Sequence, residues 1–302
     1  MITLRKIIFI AIALSIASTG VAQTDDQDDR DDVEDLKISA MEALISAPSE
    51  RALPIVTRVL NGDHSDELKS RALFVLSQID HPDAHSLLVE TARTGNDELR
   101  HEAIRMIGIG GDRDALAGLA DIYATGDEET REAVLEAYLI ADDARSVFEI
   151  AIDAQDKQEF ENAVEMLGAM GALEELRALR DRTDMSEVLI DAYAIAGDVE
   201  SLRELALDAS DPEMQMAAIH GLGITGEDEV TEVLVSIYRD TDSAKVKEAA
   251  LEGLLISGQD EGVLQLFRES QDPAEKRELL ETLVIMDSDA VWDIIDATLE
   301  NR

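Results

Sequence analysis

Apolar residues recur along residues 97–127 at the spacing of an amphipathic helix, twice in succession. In the first half, Leu99, Ala103 and Ile107 follow one another every fourth position and therefore lie on one face of a helix. The second half repeats the pattern with Ala115, Leu116, Leu119, Ala120, Ile122 and Tyr123. The spacing predicts two short helices, each with one apolar face directed at a shared core.

A glycine-rich corner separates these two predicted helices. Gly108, Gly110 and Gly111 follow the first apolar stripe, and glycine permits the positive φ that ends a helix. Asp112 comes next, where a carboxylate can cap the free N–H groups of the second helix. The glycines resemble a phosphate-binding loop superficially, but they follow a helix rather than a strand. We therefore interpret them as a helix C-terminus.

Variants of this unit recur through most of the chain. The position that can be followed is the residue expected to be buried in the last turn of each first helix, here called the anchor. The anchors are Leu44, Leu76, Ile107, Tyr138, Leu167, Tyr193, Leu222, Leu254 and Leu283. Their mean spacing is about 30 residues, and such a period is typical of solenoids and repeat arrays. The sequence therefore predicts an all-α fold, an α-solenoid of about nine antiparallel helix pairs over residues 34–302.

The recurring motif also carries a family resemblance. Its clearest positions are Ala103, Ile107, Gly108, Ile109, Gly110, Gly111, Asp112, Ala115, Leu116 and Leu119. This pattern resembles a short HEAT repeat, of the HEAT-like type also found in bilin lyases. The resemblance implies stacked helix pairs whose second helices line an extended concave surface. Tetratricopeptide repeats are the main rival, but their period is 34 and their tryptophan and consensus prolines are absent from the matching places.

Residues 1–22 have the three-part pattern of a signal peptide. Arg5 and Lys6 are basic, residues 7–17 are apolar, and small residues precede the expected cleavage after Ala22. A membrane anchor is the alternative, but the apolar run is shorter than the ~20 residues that a spanning helix needs. The leader thus predicts an exported protein, periplasmic or secreted, with no stable membrane span after cleavage.

The segment that follows the leader is dominated by acidic residues. Its composition predicts a disordered acidic tail over residues 23–33. Calcium binding is the alternative, but the segment lacks the glycine and the terminal glutamate of an EF-hand loop.

Composition narrows the classes of function. The chain has 26 Lys and Arg against 67 Asp and Glu, which gives a formal net charge of −41. Such a surface repels phosphates and anionic lipid headgroups, so we expect a protein or peptide partner with basic patches and no nucleic acid. The absence of cysteine excludes disulfides, thiolate metal sites and a cysteine nucleophile. Catalytic fingerprints are also absent. His81 and His85 lie four positions apart, a spacing that could suggest zinc, but Pro82 makes His81 a helix cap rather than a helical ligand, and no HExxH motif or cysteine partner exists. No catalytic, cofactor or metal residue is therefore assigned.

A cation recurs seven positions before the anchor in six of the nine units, and we call this set the cation ladder. Its members are Lys37, Lys69, Arg100, Arg131, Lys247 and Lys276. Seven residues make about two helical turns, so these side chains lie near the buried stripe. We interpret them as ion-pair partners of acids in adjacent joints, such as Asp112 or Asp260. An anion-binding row is the alternative.

The middle of the array departs from this regularity. The ladder position is occupied by Phe160, Ser186 and Gln215 in three successive units. The same region concentrates the arginines Arg177, Arg180 and Arg182. We hypothesise that these six residues belong to a partner-binding site, with ordinary drift of a tolerant repeat as the alternative.

Together these patterns predict a non-enzymatic interaction scaffold or adaptor in the cell envelope, which presents an acidic concave surface to its partner. Two alternatives stay open: a ligand-handling enzyme or chaperone related to the bilin lyases, and a structural spacer of the envelope without a defined ligand.

Overall fold

The computed structural model describes residues 25–180, 187–208, 211–226 and 228–300, and every regular element in them is helical. The predicted leader lies outside this part of the chain. The helices are α1 (Asp25–Glu42), α2 (Ser49–Leu60), α3 (Asp66–Ser77), α4 (Pro82–Thr94), α5 (Asp97–Gly110), α6 (Arg113–Ala117), α7 (Leu119–Thr125), α8 (Glu128–Ala141), α9 (Ala144–Asp153), α10 (Lys157–Met170), α11 (Leu173–Leu179), α12 (Glu187–Ala196), α13 (Val199–Asp208), α14 (Pro212–Thr225), α15 (Asp228–Asp240), α16 (Ala244–Ile256), α17 (Asp260–Glu269), α18 (Pro273–Ile285) and α19 (Asp289–Leu299).

In chain order these helices form nine first and nine second helices, because α6 and α7 are one second helix interrupted at Gly118. A 3₁₀ helix, Ala43–Ser46, follows α1. The predicted all-α class is therefore confirmed. Among the described helices, none combines the length and the hydropathy that a bilayer crossing requires.

The chain divides into two compact units, Met1–His81 and Pro82–Arg302. In the first unit, α1 and α2 both pack against α3, whose Leu73 and Leu76 are fully buried. Helix α1 begins at Asp25, so residues 25–33 are helical where the sequence predicts a tail without regular structure. Carboxylates are favourable in the first turns of a helix because they face the positive end of its dipole.

The second unit is an α-solenoid of stacked helix pairs, as the repeat period predicts. Each second helix packs against the first helix that follows it, as α4 does on α5, α9 on α10, α13 on α14 and α15 on α16. First helices also stack on one another, α5 on α8, α10 on α12, α12 on α14 and α14 on α16. Since one pair cannot bury both of its apolar faces, these contacts between neighbours supply most of the core.

The anchors are the centre of this core. Eight of the nine predicted anchors, from Leu76 to Leu283, have at most 1% of their surface exposed. Leu44 is the exception: it is only partly buried and lies in the 3₁₀ helix rather than in α1. A 3₁₀ turn advances each residue by a larger angle than an α-turn, which rotates Leu44 partly away from the core.

The predicted corner chemistry is confirmed in part. The Asp112 side chain accepts a hydrogen bond from the Ala115 N–H at 2.9 Å and caps α6. Gly111 has a φ of 66° and ends α5 in the left-handed conformation. The interpretation of Gly108 as part of the corner is wrong, because α5 continues to Gly110 and Gly108 is buried inside it. Gly108 instead serves helix packing.

Candidate functional site

The first helices of the second unit meet at joints of two kinds. In the first kind, the residue after one anchor lies against the residue before the next anchor, and both are small. A Cβ atom added to Gly108 would lie 2.7 Å from the carbonyl oxygen of Ala137, and one on Gly168 would lie 3.0 Å from Ala192 Cα. A Cβ atom added to Gly223 would lie 2.7 Å from Gly253 Cα. We call these contacts tight joints, because no side chain fits between the two backbones.

The joint between α8 and α10 is of the second kind. Leu139 follows the anchor Tyr138, and Met166 precedes the anchor Leu167, so two large side chains occupy the positions that are small elsewhere. Helix α8 approaches α10 much less extensively than it approaches α5. A cleft of about 820 Å³ opens between them, and Leu139, which lines it, is 39% exposed to solvent. We call this contact the open joint.

The open joint has a polar end and an apolar end. Near the N-termini of α8 and α10, the cleft is bordered by Asp127, Glu128, Arg131, Glu132, Asp156, Gln158, Glu159 and Asn162. Toward the C-termini, its walls are Leu135, Leu139, Met166 and Ala169, with Glu165 beside them. The cleft thus carries six carboxylates and one guanidinium, with five of the carboxylates at the polar end and Glu165 beside the apolar walls.

The single guanidinium of the cleft is held by the neighbouring second helix. Arg131 Nε donates to the Tyr123 carbonyl oxygen at 3.2 Å, and its guanidinium carbon lies 5.6 Å from the centre of the Tyr123 ring. Burial and the nearby Glu159 carboxylate raise the pKa of Tyr123 to about 12, so the phenol is neutral at physiological pH. A second cleft of about 560 Å³ shares Tyr123, Arg131, Asp156 and Glu159 with the first.

The cation ladder contacts acids, as the sequence predicts, but also backbone carbonyls and aromatic rings. Arg100 pairs with Asp97 at 2.6 Å, and Lys37 pairs with Glu34 at 2.9 Å. Like Arg131, Arg100 donates to a backbone carbonyl, that of Gly95 at 3.1 Å, just beyond the end of the preceding second helix. Lys276 lies 5.1 Å from the centre of the Phe267 ring. The expectation that Asp112 pairs with a ladder cation is not met: Asp112 caps α6 and contacts His85 Nδ1 at 3.1 Å. The negative end of the helix dipole explains why the cations gather at these helix ends.

One ladder cation bridges two repeats. Lys247 Nζ contacts Glu275 Oε1 at 3.0 Å and lies 4.8 Å from the centre of the Tyr238 ring. Hydrogen bonds from Ser270 and then Lys247 hold the pKa of Glu275 below its ordinary value. Burial and the Glu275 carboxylate raise the pKa of Tyr238. These contacts between Lys247, Glu275 and Tyr238 stabilise the stacking of the two repeats.

Two of the predicted site arginines take part in contacts between second helices. Arg177 donates from Nε and Nη2 to the Asp198 carboxylate at 2.8 and 2.7 Å. Asp198 is 1% exposed and also caps α13 by accepting from the Ser201 N–H at 3.2 Å. Arg180 forms an ion pair with Glu204. These bonds tie the second helix α11 to α13.

Of the four remaining predicted site residues, the structure describes two. Phe160 is buried, and Gln215 Nε2 donates to the Ala206 carbonyl oxygen at 2.8 Å. Arg182 and Ser186 lie outside the described residues. The hypothesis that these six residues contact a partner stays a prediction. In the described part of the chain, no group of three or more His, Cys, Asp or Glu side chains is placed to hold a metal ion.

Comparison with known proteins concerns the repeat itself. The family model of HEAT repeats matches residues 56–139 and 193–255. No curated protein shows significant similarity to the chain. Two solved structures are similar to it at 16% sequence identity. The phycocyanin lyase complex of CpcE and CpcF from Nostoc sp. PCC7120 matches over 91% of this chain and 99% of that chain, with a TM-score of 0.34. Human deoxyhypusine hydroxylase in complex with glycerol matches over 76% and 98%, with a TM-score of 0.32.

The residue pattern of the motif, the repeat period, the stacked helix pairs and the family match agree. The chain contains HEAT repeats, matched over residues 56–139 and 193–255.

Proposed function

We propose that the protein is a non-enzymatic interaction scaffold of the cell envelope, which presents an acidic surface to a protein or peptide partner with basic patches. HEAT repeats typically bind proteins, and a repeat array offers an extended surface for many shallow contacts. The proposal includes export through the leader of residues 1–22 and a periplasmic or secreted location.

The observation that carries the proposal is the surplus of carboxylates. The formal net charge of −41 means that this many carboxylates would remain without a cation even if every Lys and Arg were paired. Several cations of the described residues are moreover paired within the chain, as Arg105 is with Glu102 and Arg239 with Glu269. A basic partner would be attracted by this field and oriented by it.

The hydrogen-bond partners of the carboxylates with shifted pKa values support the proposal of a non-enzymatic role. Perturbed pKa values often mark catalytic groups. Here the carboxylates with lowered pKa have structural partners: Asp127 accepts hydrogen bonds from Thr130 and caps α8, and Glu275 accepts from Ser270 and Lys247. Hydrogen bonds within the repeat stack stabilise the charged form of these groups, which supports a structural role for them.

Crosslinking in intact cells tests the proposal. The tagged full chain is crosslinked, purified under denaturing conditions, and its adducts are identified by mass spectrometry. We expect one protein with a basic surface segment to be recovered reproducibly. If repeated experiments recover no protein above the level of an unrelated acidic control, the scaffold proposal fails.

The export component has a separate test. Mass spectrometry of the protein isolated from cells reads its N-terminus directly. We expect the chain to begin after Ala22, because small residues precede this bond. A mature chain that retains residues 1–22 would contradict export by this leader.

A further inference from the structure

We propose that the cleft at the open joint is the docking site for a cationic amphipathic segment of the partner. The inference rests on the proposed function and adds its location and the chemistry of its ligand. In this cleft, exposed apolar side chains and a carboxylate cluster border one concave surface. Leu139 and Met166 offer the apolar part, and the acids near Glu132 offer the charged part.

The order of groups along the cleft defines the ligand. On α8 the lining side chains run from Glu128 to Leu139, which is a span of about 16 Å along a helix. A segment of about three helical turns has this length. To match the cleft it must carry Lys or Arg at one end, facing the acids, and apolar side chains at the other end, facing Leu139 and Met166. A helix that lies in a groove between two helices is a common mode of peptide recognition.

A neighbouring cleft shows why this one is chosen. The cleft of about 790 Å³ beside α4 and α7 is lined by two cations, Arg93 and Arg100, together with Asp121 and Asp127. Its charges largely balance one another, and Arg93 already lies 3.6 Å from Asp121. The open joint carries six carboxylates against Arg131, whose guanidinium is held by Tyr123. Of these two clefts, charge complementarity therefore favours a cationic ligand only at the open joint.

The local sequence explains how the site arises. Replacing the small pair of a tight joint by Leu139 and Met166 prevents α8 and α10 from meeting backbone to backbone. The side chains that would otherwise be buried between repeats then face solvent, as the 39% exposure of Leu139 shows. A partner that covers them would gain apolar burial without unfolding any helix.

The test uses a synthetic peptide and the full chain. The probe is a capped, fluorescently labelled peptide of about twelve residues of Lys, Leu and Ala, with the lysines in one half and the leucines four positions apart in the other. One control peptide has Glu in place of Lys, and another has the same composition with the leucines dispersed. Binding is measured by fluorescence anisotropy at low and at physiological salt.

Two matched pairs of variants localise the binding. The double variant Glu132→Lys and Glu165→Lys reverses two charges in the cleft. Its control, Asp191→Lys and Glu252→Lys, makes the same net charge change at exposed positions of two other first helices. Leu139→Ser removes an apolar wall, and Leu207→Ser is its control at an exposed leucine outside the cleft. Circular dichroism and melting of each variant show that the fold is kept.

We expect the cleft charge variant to weaken the Kd for the probe by about tenfold or more, and its control by less than about threefold. Leu139→Ser should weaken binding by about fivefold while Leu207→Ser leaves it unchanged.

Equal loss of affinity in both charge variants would assign binding to the overall electrostatic field of the chain and overturn the docking site, while the scaffold proposal would stand. A wild-type chain that does not bind the probe would also overturn it, and crosslinking in cells would still decide the scaffold proposal separately. A dimer that the cleft variant dissolves would identify a second copy as the occupant and overturn the proposal as well.

Discussion

Helix α8 takes part in two joints that differ in kind. On one side it meets α5, where Gly108 lies so close to Ala137 that no side chain fits between the backbones. On the other side it faces α10 across the cleft that Leu139 and Met166 keep open. The same helix thus contributes to the rigid stack and to a concave surface. The size of the two residues that flank successive anchors thus differs between a close and an open approach of neighbouring first helices.

The joint between α16 and α18 also has a large residue after the anchor, but there an ion pair connects the two helices. Leu255 follows the anchor Leu254, and α16 and α18 likewise contact one another little. There Lys247 spans the joint to Glu275 at 3.0 Å. At the open joint the equivalent cation, Arg131, donates instead to the carbonyl oxygen of Tyr123. Its equivalent acid, Glu159, accepts from the Gln155 N–H at 2.9 Å.

The largest expected effect comes from breaking the tight joint. Gly108→Leu places a side chain where a Cβ atom alone would lie 2.7 Å from the Ala137 carbonyl oxygen. The two helices must separate, and we expect the free energy of unfolding in urea to fall by about 3 kcal/mol. The matched control is Ala169→Leu, which adds a similar side chain in the open cleft and should change it by less than about 0.5 kcal/mol. Equal losses for the two variants would contradict the distinction between the joints.

The next effect concerns the bond that ties α11 to α13, beside the tight joint of α10 and α12. Asp198→Asn removes the charge that Arg177 and Ser201 contact, and we expect a loss of about 2 kcal/mol in the free energy of unfolding. Arg177→Gln is the companion variant, and a double-mutant cycle should show that the two losses are not additive.

The same bond predicts a pH dependence. Burial raises the pKa of Asp198, but the hydrogen bonds from Arg177 and Ser201 outweigh it and lower the net pKa below the ordinary 3.8. The stabilisation is therefore fully present above pH 3.8 and is lost as the pH falls through the lowered pKa. The stability difference between wild type and Asp198→Asn should narrow in acid. A constant difference across the acidic range would contradict the role of the charge.

A smaller effect is expected from converting the open joint into a tight one. The double variant Leu139→Gly and Met166→Ala recreates the small pair of α5 and α8, so the axes of α8 and α10 should approach in a crystal structure and the cleft should narrow. Because glycine is unfavourable inside a helix, the stability should fall by about 1 kcal/mol. An unchanged cleft would show that other contacts hold these helices apart.

The smallest effect is expected at a surface ion pair that belongs to neither kind of joint. Arg239 Nη2 contacts Glu269 Oε2 at 2.6 Å, and both side chains are about half exposed. Exposed pairs are screened by solvent and salt, so Arg239→Gln should leave the unfolding midpoint unchanged within error. A clear loss would mean that charge pairing, rather than apolar packing, holds the second helices together.

Much of the fold was predictable because each local signal acts within one repeat. The anchors from Leu76 onward are buried, since a period near 30 residues places the same helical face inward each time. Asp112 caps α6 because its side chain reaches an N–H only three residues away. The partial exposure of Leu44 could not be predicted, because the end of the first helix tightens into a 3₁₀ turn that periodicity alone does not reveal.

The site was less predictable because it depends on pairs of residues in different repeats. The cation ladder pairs with acids in part, as Arg100 does with Asp97 and Lys247 with Glu275, but its long side chains also reach carbonyls and rings that the sequence does not indicate. Sequence reasoning missed the open joint, although the signal was present. Gly108, Gly168 and Gly223 follow their anchors, whereas Leu139 stands in that place after Tyr138.

The most direct measurement is site-specific photocrosslinking in intact cells that express the full chain. A benzoylphenylalanine is placed at Asn162, which lines the open joint, and in a parallel strain at Asp191, an exposed position of α12 outside it. The account predicts one protein adduct from Asn162, carrying a cationic amphipathic segment at the crosslink, which disappears in the Glu132→Lys and Glu165→Lys background. The same adducts from both positions, or an Asn162 adduct that persists after the charge reversal, would contradict it.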